Sequence, residues 1–257
     1  MKTSGNTILI TGGGSGIGAA LAQRFHDQGN VVIVAGRRRD ALDATCVDRK
    51  DMHALVLDVE SAEGVKAFAA DVVARFPAVN VLINNAGIMR YERLGRARDL
   101  ADAHETITTN LLGPIRLTDA LVDHLAAKGD GVIVNVTSGL AFVPLPGTPT
   151  YCATKAAIHS YTQSLRAMLH GRVEVIELAP PGVQTDLTPG QSTREGYQPL
   201  DEFADEVMAL FNQQPTPPEI LVKAVQPFRN AEAQGTHSQF LDNLTQRSLQ
   251  MLEQLKV

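Results

Sequence analysis

Short apolar runs alternate with segments of helical periodicity along most of this chain. Seven short runs are mostly apolar and rich in Val and Ile, which is typical of strands that are buried on both faces of a sheet. They cover residues 7–10, 31–35, 54–57, 79–83, 132–136, 173–178 and roughly 220–225. The alternation of strand and helix predicts a parallel sheet whose strands are joined by right-handed crossovers.

Helix signals fill the intervals between these runs. Ser61 stands at the N-cap position of a segment in which Val65 and Phe68 share one face. Residues 101–127 predict one long helix with Pro114 inside it. Since proline has no N–H and its ring displaces the carbonyl four residues earlier, we expect a kink that frees the carbonyl of Asn110. That kink either creates a water site or simply bends the helix around the core.

The predicted fold is of the α/β class, a doubly wound domain with a parallel seven-stranded sheet flanked by helices on both faces. All 257 residues are expected to form this single domain, since that length is ordinary for the class. Residues 187–200 contain two prolines and two glycines and are expected to form a flexible loop that covers the substrate. Residues 236–257 are expected to form a C-terminal helical tail.

Composition narrows the possible functions. The net charge of −5 does not indicate nucleic-acid binding, and no apolar run reaches the roughly 20 residues that a membrane span needs. The two cysteines form no CxxC pair and the seven histidines show no HxxxH spacing, so we expect no metal site. The first residues lead directly into a strand pattern, and we expect a cytoplasmic location.

A glycine-rich segment joins the first strand to the first helix. It reads Thr11-Gly12-Gly13-Gly14-Ser15-Gly16-Ile17-Gly18. Glycine allows a tight turn and lets the backbone approach a pyrophosphate, while the helix N-terminus presents free N–H groups to the phosphates. Any tight turn between a strand and a helix tolerates glycine, so the pattern by itself is also consistent with a purely structural loop.

The end of the second strand bears on the choice of cofactor. A dinucleotide-binding fold that prefers NAD usually has a carboxylate there, which binds the ribose 2′-hydroxyl. Here Arg37, Arg38 and Arg39 follow the strand, with no carboxylate among them. Guanidinium groups suit a 2′-phosphate, which favours NADP(H) and leaves NAD(H) possible. The alternative is that the three arginines only solvate the start of a helix.

Tyr151 and Lys155 lie one helical turn apart, on the same face of a predicted helix. An ordinary surface helix also contains such pairs. Ser138 follows the fifth predicted strand, and the carboxyl ends of parallel strands are where an open α/β sheet binds its ligand. The position of Ser138 therefore favours a catalytic group made of all three residues.

Taken together, these motifs resemble the short-chain dehydrogenase/reductase family. The glycine segment, the run Asn84-Asn85-Ala86-Gly87, Asn110, Ser138 and the Tyr151–Lys155 pair occur in the family's order and spacing. The resemblance covers essentially the whole chain, and residues 137–144 and 180–186 look closest to the DltE-like branch. It implies a Rossmann-type fold and hydride transfer between NADP(H) and a carbonyl or alcohol substrate.

The resemblance implies a catalytic set of Asn110, Ser138, Tyr151 and Lys155. Tyr151 would be the general acid in reduction and the general base in oxidation. Its pKa would be lowered from about 10 by the cation at Lys155 and by the oxidised nicotinamide. Ser138 would stabilise the substrate oxygen, and Lys155 would also hold the nicotinamide ribose. A water bound to the freed carbonyl of Asn110 and to Lys155 would carry protons to solvent.

The resemblance also implies which residues contact the cofactor. Asp58 would accept a hydrogen bond from the adenine amino group, with a helix cap or a solvated turn as the alternative. Pro181 stands where the family usually has glycine, and it lacks an N–H and has a fixed φ. The full expected set is Gly12, Ser15, Gly16, Ile17, Gly18, Arg37, Arg38, Asp58, Val59, Asn85, Ala86, Gly87, Tyr151, Lys155, Pro180, Val183 and Thr185.

The sequence constrains the substrate, the type of reaction and the oligomeric state less than it constrains the fold. Met89, Leu140, Phe142 and Leu187 are expected either to line a substrate pocket or to belong to the core, and His159 is expected to be structural or solvated. The first functional hypothesis is a reductase or dehydrogenase acting on a modestly hydrophobic ketone, aldehyde or alcohol. The alternatives are a catalytically silent NADP(H)-binding regulator, or an epimerase or dehydratase using the same site. The resemblance further implies a homodimer or homotetramer.

Overall fold

The computed structural model describes residues 1–254, and within them seven parallel strands form one sheet. The strands are β1 (Thr7–Thr11), β2 (Val31–Gly36), β3 (Met52–Val56), β4 (Val81–Asn84), β5 (Val132–Val136), β6 (Glu174–Leu178) and β7 (Glu219–Ile220). They lie in the order β3-β2-β1-β4-β5-β6-β7, and every neighbouring pair is parallel. This order confirms the predicted doubly wound α/β fold, in which the direction of winding reverses between β1 and β4.

Helices cover both faces of the sheet. The α-helices within the described residues are α1 (Gly16–Asp27), α2 (Arg39–Cys46), α3 (Ala62–Arg75), α4 (Ala101–Ile107), α5 (Gly113–Ala127), α6 (Pro149–Met168), α7 (Leu200–Phe211), α8 (Gln226–Arg229) and α9 (His237–Gln254). The predicted C-terminal tail corresponds to α9, and its residues 255–257 lie outside the described part. None of the described helices is long and apolar enough to cross a membrane.

Alternate residues of the central strands point to opposite faces and enter separate cores. In β1, Ile8 and Ile10 belong to the core that contains α1 and α7, whereas Leu9 belongs to the core that contains α3 and α5. Because both faces are covered, both sets of positions must be apolar, and this explains the continuous runs in the sequence. Ser61 accepts a hydrogen bond from the Gly64 N–H at the start of α3, as the capping pattern predicts.

The last strand is shorter than the sequence predicts. The prediction of a strand over residues 220–225 is wrong, since β7 contains only Glu219 and Ile220. Val222 and Val225 are nevertheless fully buried, because the chain leaves the sheet edge and packs into the core that contains α7. The apolar run therefore indicated burial correctly, but it did not distinguish a paired strand from a buried turn.

The predicted long helix over residues 101–127 is interrupted. A π-helical turn at Thr108–Leu112 separates α4 from α5, and the Gly113 N–H donates to the carbonyl of Thr108, five residues earlier. Pro114 lies in the first turn of α5. Because Pro114 has no N–H to donate to the Asn110 carbonyl, the helix widens before α5 resumes. The expected irregularity is present as a wide turn, and the water site remains a prediction.

Candidate active site

A cavity of about 440 Å³ opens at the carboxyl ends of the central strands, where ligands bind in open α/β sheets. Its walls come from the segments that follow β1, β2, β4, β5 and β6, and from the start of α6. Every residue that the sequence predicts to contact the cofactor lines this cavity, except Asp58 and Val59. We refer to it below as the strand-end cavity.

The glycine segment brings the backbone close to the chain that follows β4. Gly12 has a φ of +67°, and a Cβ there would lie 2.9 Å from the Cα of Ala86. A Cβ on Gly18 would collide with the carbonyl oxygen of Gly12, so the first turn of α1 can pack directly on the loop. This geometry leaves the first N–H groups of α1 beside the cavity, as a phosphate group requires.

Two arginines lie at the far end of the strand-end cavity, just after β2. Arg37 is 55% exposed, and its Nη1 is 3.3 Å from the Oε1 of Glu60. Glu60 also accepts a hydrogen bond from the Thr109 hydroxyl at 3.0 Å. The sequence shows no carboxylate at the end of β2, but the fold brings Glu60 to Arg37 from the segment after β3. Arg38 forms no ion pair with any described residue.

Asp58 and Val59 lie outside the cavity and have local contacts instead. The Asp58 carboxylate is exposed and accepts a hydrogen bond from the backbone N–H of Glu60 at 3.0 Å, as in a solvated turn, and its contact with the adenine amino group stays a prediction. Val59 is buried, and a Cβ on Gly113 would approach its Cβ to 3.0 Å. The structure therefore places Val59 against the start of α5.

The residues after β4 are tied to β1 and to β5. The hydroxyl of Thr11 accepts hydrogen bonds from the backbone N–H groups of Asn85 and Ala86, each at 3.0 Å. The side chain of Asn84 donates to the Oδ1 of Asn135 in β5 at 2.9 Å. These bonds hold the loop that carries Gly87 at one position relative to the three central strands.

Asn110 fixes the next part of that loop from the π-helical turn. Its Oδ1 accepts from the Ile88 N–H and its Nδ2 donates to the Ile88 carbonyl, both at 2.8 Å. A Cβ on Gly87 would lie 3.3 Å from Asn110 Oδ1 and 3.7 Å from Lys155 Nζ. Asn110 is 1% exposed, so the predicted catalytic residue lies buried beside Lys155, with its amide engaged by the backbone.

Tyr151, Lys155 and Ser138 converge at one end of the strand-end cavity. All three are buried, with 7%, 5% and 6% of their surface exposed. The Nζ of Lys155 donates to the Val136 carbonyl at 2.8 Å and lies 5.6 Å from the centre of the Tyr151 ring. The hydroxyl of Ser138 accepts from the Leu140 N–H at 3.1 Å, which orients it at the start of a short 3₁₀ turn.

Burial dominates the protonation of this group. It raises the pKa of Tyr151 well above its usual value, while the nearby Ser138 hydroxyl partly opposes this effect. Burial also lowers the pKa of Lys155 from 10.5 to about 8. In the protein alone, Tyr151 is therefore a protonated phenol at neutral pH. The lowered tyrosine pKa expected from Lys155 is not a property of the protein without its ligands.

A second cavity, of about 840 Å³, adjoins the first and shares Ser138, Tyr151, Pro180, Pro181, Leu187 and Gln191 with it. Met89, Leu140 and Leu187 line this cavity, as expected for a substrate pocket. Phe142 does not line it. Its ring packs edge-on against His159 and beneath the guanidinium of Arg229. We call this second space the loop-side cavity, because much of its wall comes from residues 187–199.

Gln191 is a residue of this region that the sequence did not single out. It is buried, and its Nε2 donates to the Val183 carbonyl at 2.9 Å and to the Thr185 hydroxyl at 3.1 Å. It thus links two expected cofactor contacts to the segment predicted to cover the substrate. A glutamine within a polar loop has no periodicity or motif, so no sequence signal marked it.

The Pro180 carbonyl accepts from the Gly139 N–H at 2.8 Å, which ties the Pro180–Pro181 turn to the Ser138 loop.

Comparison with known proteins identifies the family. The family model described as short chain dehydrogenase matches residues 6–196. The uncharacterized oxidoreductase DltE of Bacillus subtilis is 40% identical over 214 residues, which cover 82% of this chain and 84% of DltE. Sulfoacetaldehyde reductase 2 of Chromohalobacter salexigens is 37% identical over 186 residues, covering 70% of this chain and 74% of that protein.

A solved structure extends the comparison to three dimensions. A short chain dehydrogenase from Burkholderia cenocepacia, crystallised in complex with NADP, superposes with a TM-score of 0.80 at 26% identity. The match covers 94% of this chain and 99% of that one. The family binds nicotinamide dinucleotides, and the strand-end cavity has the glycine cradle and cationic end that such a ligand requires. The chain is therefore an oxidoreductase of the short chain dehydrogenase family.

Proposed function

We propose that this protein transfers a hydride between NADP(H) and a carbonyl or alcohol substrate, with Tyr151 as the general acid in reduction. The observation that carries the proposal is the position of Tyr151 and Ser138, which line both the strand-end cavity and the loop-side cavity. A cofactor in the first and a substrate in the second would meet at these two hydroxyls. The relative named as a sulfoacetaldehyde reductase also supports a carbonyl substrate.

In reduction, the protein has to stabilise negative charge on the substrate oxygen and then supply a proton. The nicotinamide supplies the hydride. Ser138 donates a hydrogen bond to the oxygen, and Tyr151 donates the proton, for which the protonated phenol is the required form. Burial supports this role, because it keeps Tyr151 protonated until the alkoxide develops.

Lys155 supports the same step from inside the strand-end cavity. With a pKa of about 8, its ammonium is charged at neutral pH and stabilises a phenolate left on Tyr151 after proton transfer. Its hydrogen bond to the Val136 carbonyl fixes Nζ at the end of β5. Asn110 acts indirectly by holding residue 88 and the Gly87 loop beside Lys155.

The preference for NADP(H) rests on Arg37 and Arg38. Both line the end of the strand-end cavity, and guanidinium groups pair well with a 2′-phosphate. Glu60 holds Arg37 in an ion pair that a 2′-phosphate would have to share or replace. Arg38 has no such competitor among residues 1–254, which makes it the readier of the two to bind the phosphate. NAD(H) remains usable at lower affinity.

We also propose that the chain forms a single domain that assembles as a homodimer or homotetramer. The resemblance to the family supports this assembly, as do exposed apolar side chains on the helices around the site. Ile107 at the end of α4, Leu112 in the π-helical turn and Met168 at the end of α6 are 38%, 37% and 80% exposed. Sedimentation at micromolar concentration tests it, and a monomer mass would contradict it.

Replacing Tyr151 by Phe tests the proposed chemistry. The ring stays and only the proton donor is lost, so NADPH binding should persist while turnover of a ketone and aldehyde panel falls by roughly 100-fold or more. Tyr161→Phe is the matched control, because Tyr161 lies on the same helix but lines neither cavity. If the Tyr151 variant kept more than about a tenth of the wild-type rate, the general-acid role would be wrong.

Cofactor consumption separates the proposal from its alternatives. A reductase oxidises NADPH in step with product formation, whereas an epimerase that returns the hydride shows no net change. A silent binding protein shows neither reaction while still binding NADPH.

A further inference from the structure

The loop-side cavity combines an apolar floor with a cation in its wall. Met89, Leu140, Leu145, Phe228 and Leu244 supply apolar lining. Arg194, from the segment between the 3₁₀ turn at Gln191–Thr193 and α7, contributes a partly buried guanidinium to the same cavity. An arginine that is partly withdrawn from water needs hydrogen-bond partners, and its contacts indicate what it is built to bind.

The partners of Arg194 are neutral. Its Nη1 donates to the hydroxyls of Tyr91 and Tyr197, at 3.2 and 3.3 Å, and its Nη2 donates to the Pro189 carbonyl at 3.2 Å. The guanidinium lies over the ring of Tyr197, 5.1 Å from its centre. These contacts hold the group in one orientation without neutralising its charge.

Several other partly buried arginines are neutralised by carboxylates, while Arg116 and Arg166 donate to backbone carbonyls and do not line the loop-side cavity. Arg24 pairs with Asp201 and Asp205, Arg98 pairs with Glu92, and Arg229 pairs with Glu219. Within residues 1–254, no carboxylate oxygen lies within 4.0 Å of a nitrogen of Arg194. A guanidinium has five N–H donors, and three are used here, so two have no protein partner in the described part of the chain.

Arg194 lines the same cavity as the reacting groups. Its stacking partner Tyr197 lines the same cavity as Tyr151 and Ser138. Gly182 permits the close approach of Tyr197, since a Cβ there would come within 3.1 Å of the Tyr197 ring. Gly182 follows Pro181, which lines both cavities. The guanidinium is thus held on the wall of the cavity that the proposed proton donor also lines.

The other charged residues that line the loop-side cavity are exposed. They are Glu195, Glu202 and Arg247. Being exposed, they are screened by water and contribute little to binding a buried group. The half-buried charge that remains is that of Arg194.

We propose that Arg194 binds an anionic group of the substrate, a carboxylate or a sulfonate, and that the preferred substrates are small carbonyl compounds that carry such a group. The inference rests on the proposed reduction and names its substrate class. The two unused N–H donors suit the oxygens of a carboxylate or sulfonate. The apolar floor accommodates the carbon chain between that group and the carbonyl, which lies at Ser138 and Tyr151.

A matched set of ketones tests the inference. The probes are 4-oxopentanoate, its uncharged methyl ester, and 3-oxobutane-1-sulfonate, which share a methyl ketone and differ in the group two carbons away. We expect wild-type kcat/KM with NADPH to be roughly 10- to 100-fold higher for an anion than for the ester, the scale of a charge-assisted hydrogen bond. Comparing the two anions shows whether carboxylate or sulfonate is preferred.

Variants of Arg194 provide the decisive test of the proposed anion site. In Arg194→Gln, kcat/KM for both anions should fall to the level of the ester, whose own value should change by less than about threefold, while Arg194→Lys should keep part of the preference. Arg75→Gln, an exposed arginine of α3, is the control and should change none of these values. Equal wild-type kcat/KM for acid and ester would overturn the inference. An equal fall of kcat/KM for acid and ester in Arg194→Gln would also overturn it, because it would indicate that the arginine is purely structural.

Binding without turnover separates this inference from the proposed function. Calorimetric titration of 4-oxopentanoate and its ester into the protein saturated with NADP+ measures recognition in a complex that cannot react. Tighter binding of the acid that is lost in Arg194→Gln supports the anion site even if no ketone is reduced, in which case only the proposed function fails. Indistinguishable binding of acid and ester would overturn the anion site while leaving reduction of neutral ketones intact.

Discussion

The strand-end cavity and the loop-side cavity adjoin at Tyr151 but are built in different ways. The first is made of backbone and short side chains at the ends of parallel strands, which the sheet holds in fixed register. The second takes its walls from segments far apart in the sequence, among them residues 187–199 and α9. Under the proposed function, the strand-end cavity would hold the cofactor that the family shares, and the loop-side cavity would select the substrate.

The largest expected effect is that of Lys155→Met in the strand-end cavity, where loss of turnover should be accompanied by a gain in stability. Lys155 lines only this cavity, and its ammonium is buried at a cost that a pKa lowered from 10.5 to about 8 reflects. At about 1.4 kcal/mol per unit of pKa, removing the charge should stabilise the ligand-free protein by up to about 3 kcal/mol while abolishing turnover. Denaturant unfolding at pH 7 measures the gain, and a variant less stable than wild type would contradict it.

The sign of this effect fixes its pH dependence. Below pH 8 both folded and unfolded Lys155 are protonated and the full cost of burial is present. Between pH 8 and 10.5 the unfolded state binds the proton that the folded state has lost, so wild-type stability rises with pH. Above 10.5 the cost is gone. The advantage of the Met variant should therefore be greatest below pH 8 and vanish above 10.5.

A pair of glycine substitutions tests the difference in rigidity between the two cavities. A Cβ at Gly18 meets the carbonyl of Gly12, which is backbone and cannot move aside, so Gly18→Ala should weaken both NADPH and NADH by roughly 10- to 100-fold. Gly196, which lines the loop-side cavity, has a φ of +78° but nothing within 4 Å of a Cβ. Gly196→Ala should cost about 1 kcal/mol of stability and leave cofactor affinity unchanged. Equal cofactor losses in both variants would remove the distinction.

The smallest expected effect concerns the affinity for NADPH at the arginine end of the strand-end cavity. Arg37 is exposed and shared with Glu60, so Arg37→Ala should weaken NADPH only about tenfold and leave NADH unchanged. Glu60→Gln should do the reverse and strengthen NADPH a few-fold, because the 2′-phosphate then has no competitor. Fluorescence titration with both cofactors measures each value. A parallel loss of NADH affinity in Arg37→Ala would show that Arg37 does not recognise the phosphate.

Much of the strand-end cavity was predictable, whereas much of the loop-side cavity was not. The ends of parallel strands meet at one edge of the sheet, so Gly12, Arg37 and Ser138 had to lie along one cleft once their strands were recognised. Tyr151 and Lys155 had to share a face because residues four positions apart lie one above the other on an α-helix. In the loop-side cavity, Phe142 was expected either to line the wall or to belong to the core and packs against His159, while Gln191 and Arg194 were not singled out.

The sequence alone determined most of the strands, their parallel arrangement and the candidate residues at their carboxyl ends, because apolar periodicity and residue spacing are local features of the chain. Only the tertiary structure decided which distant side chains meet. Glu60 reaches Arg37 from another strand's end, and Arg194 contacts Tyr91 across 103 positions of sequence. The tertiary structure also decided the wide turn before Pro114 and the early end of β7. The direction of a loop side chain follows from long-range packing, which leaves no periodic signal along the chain.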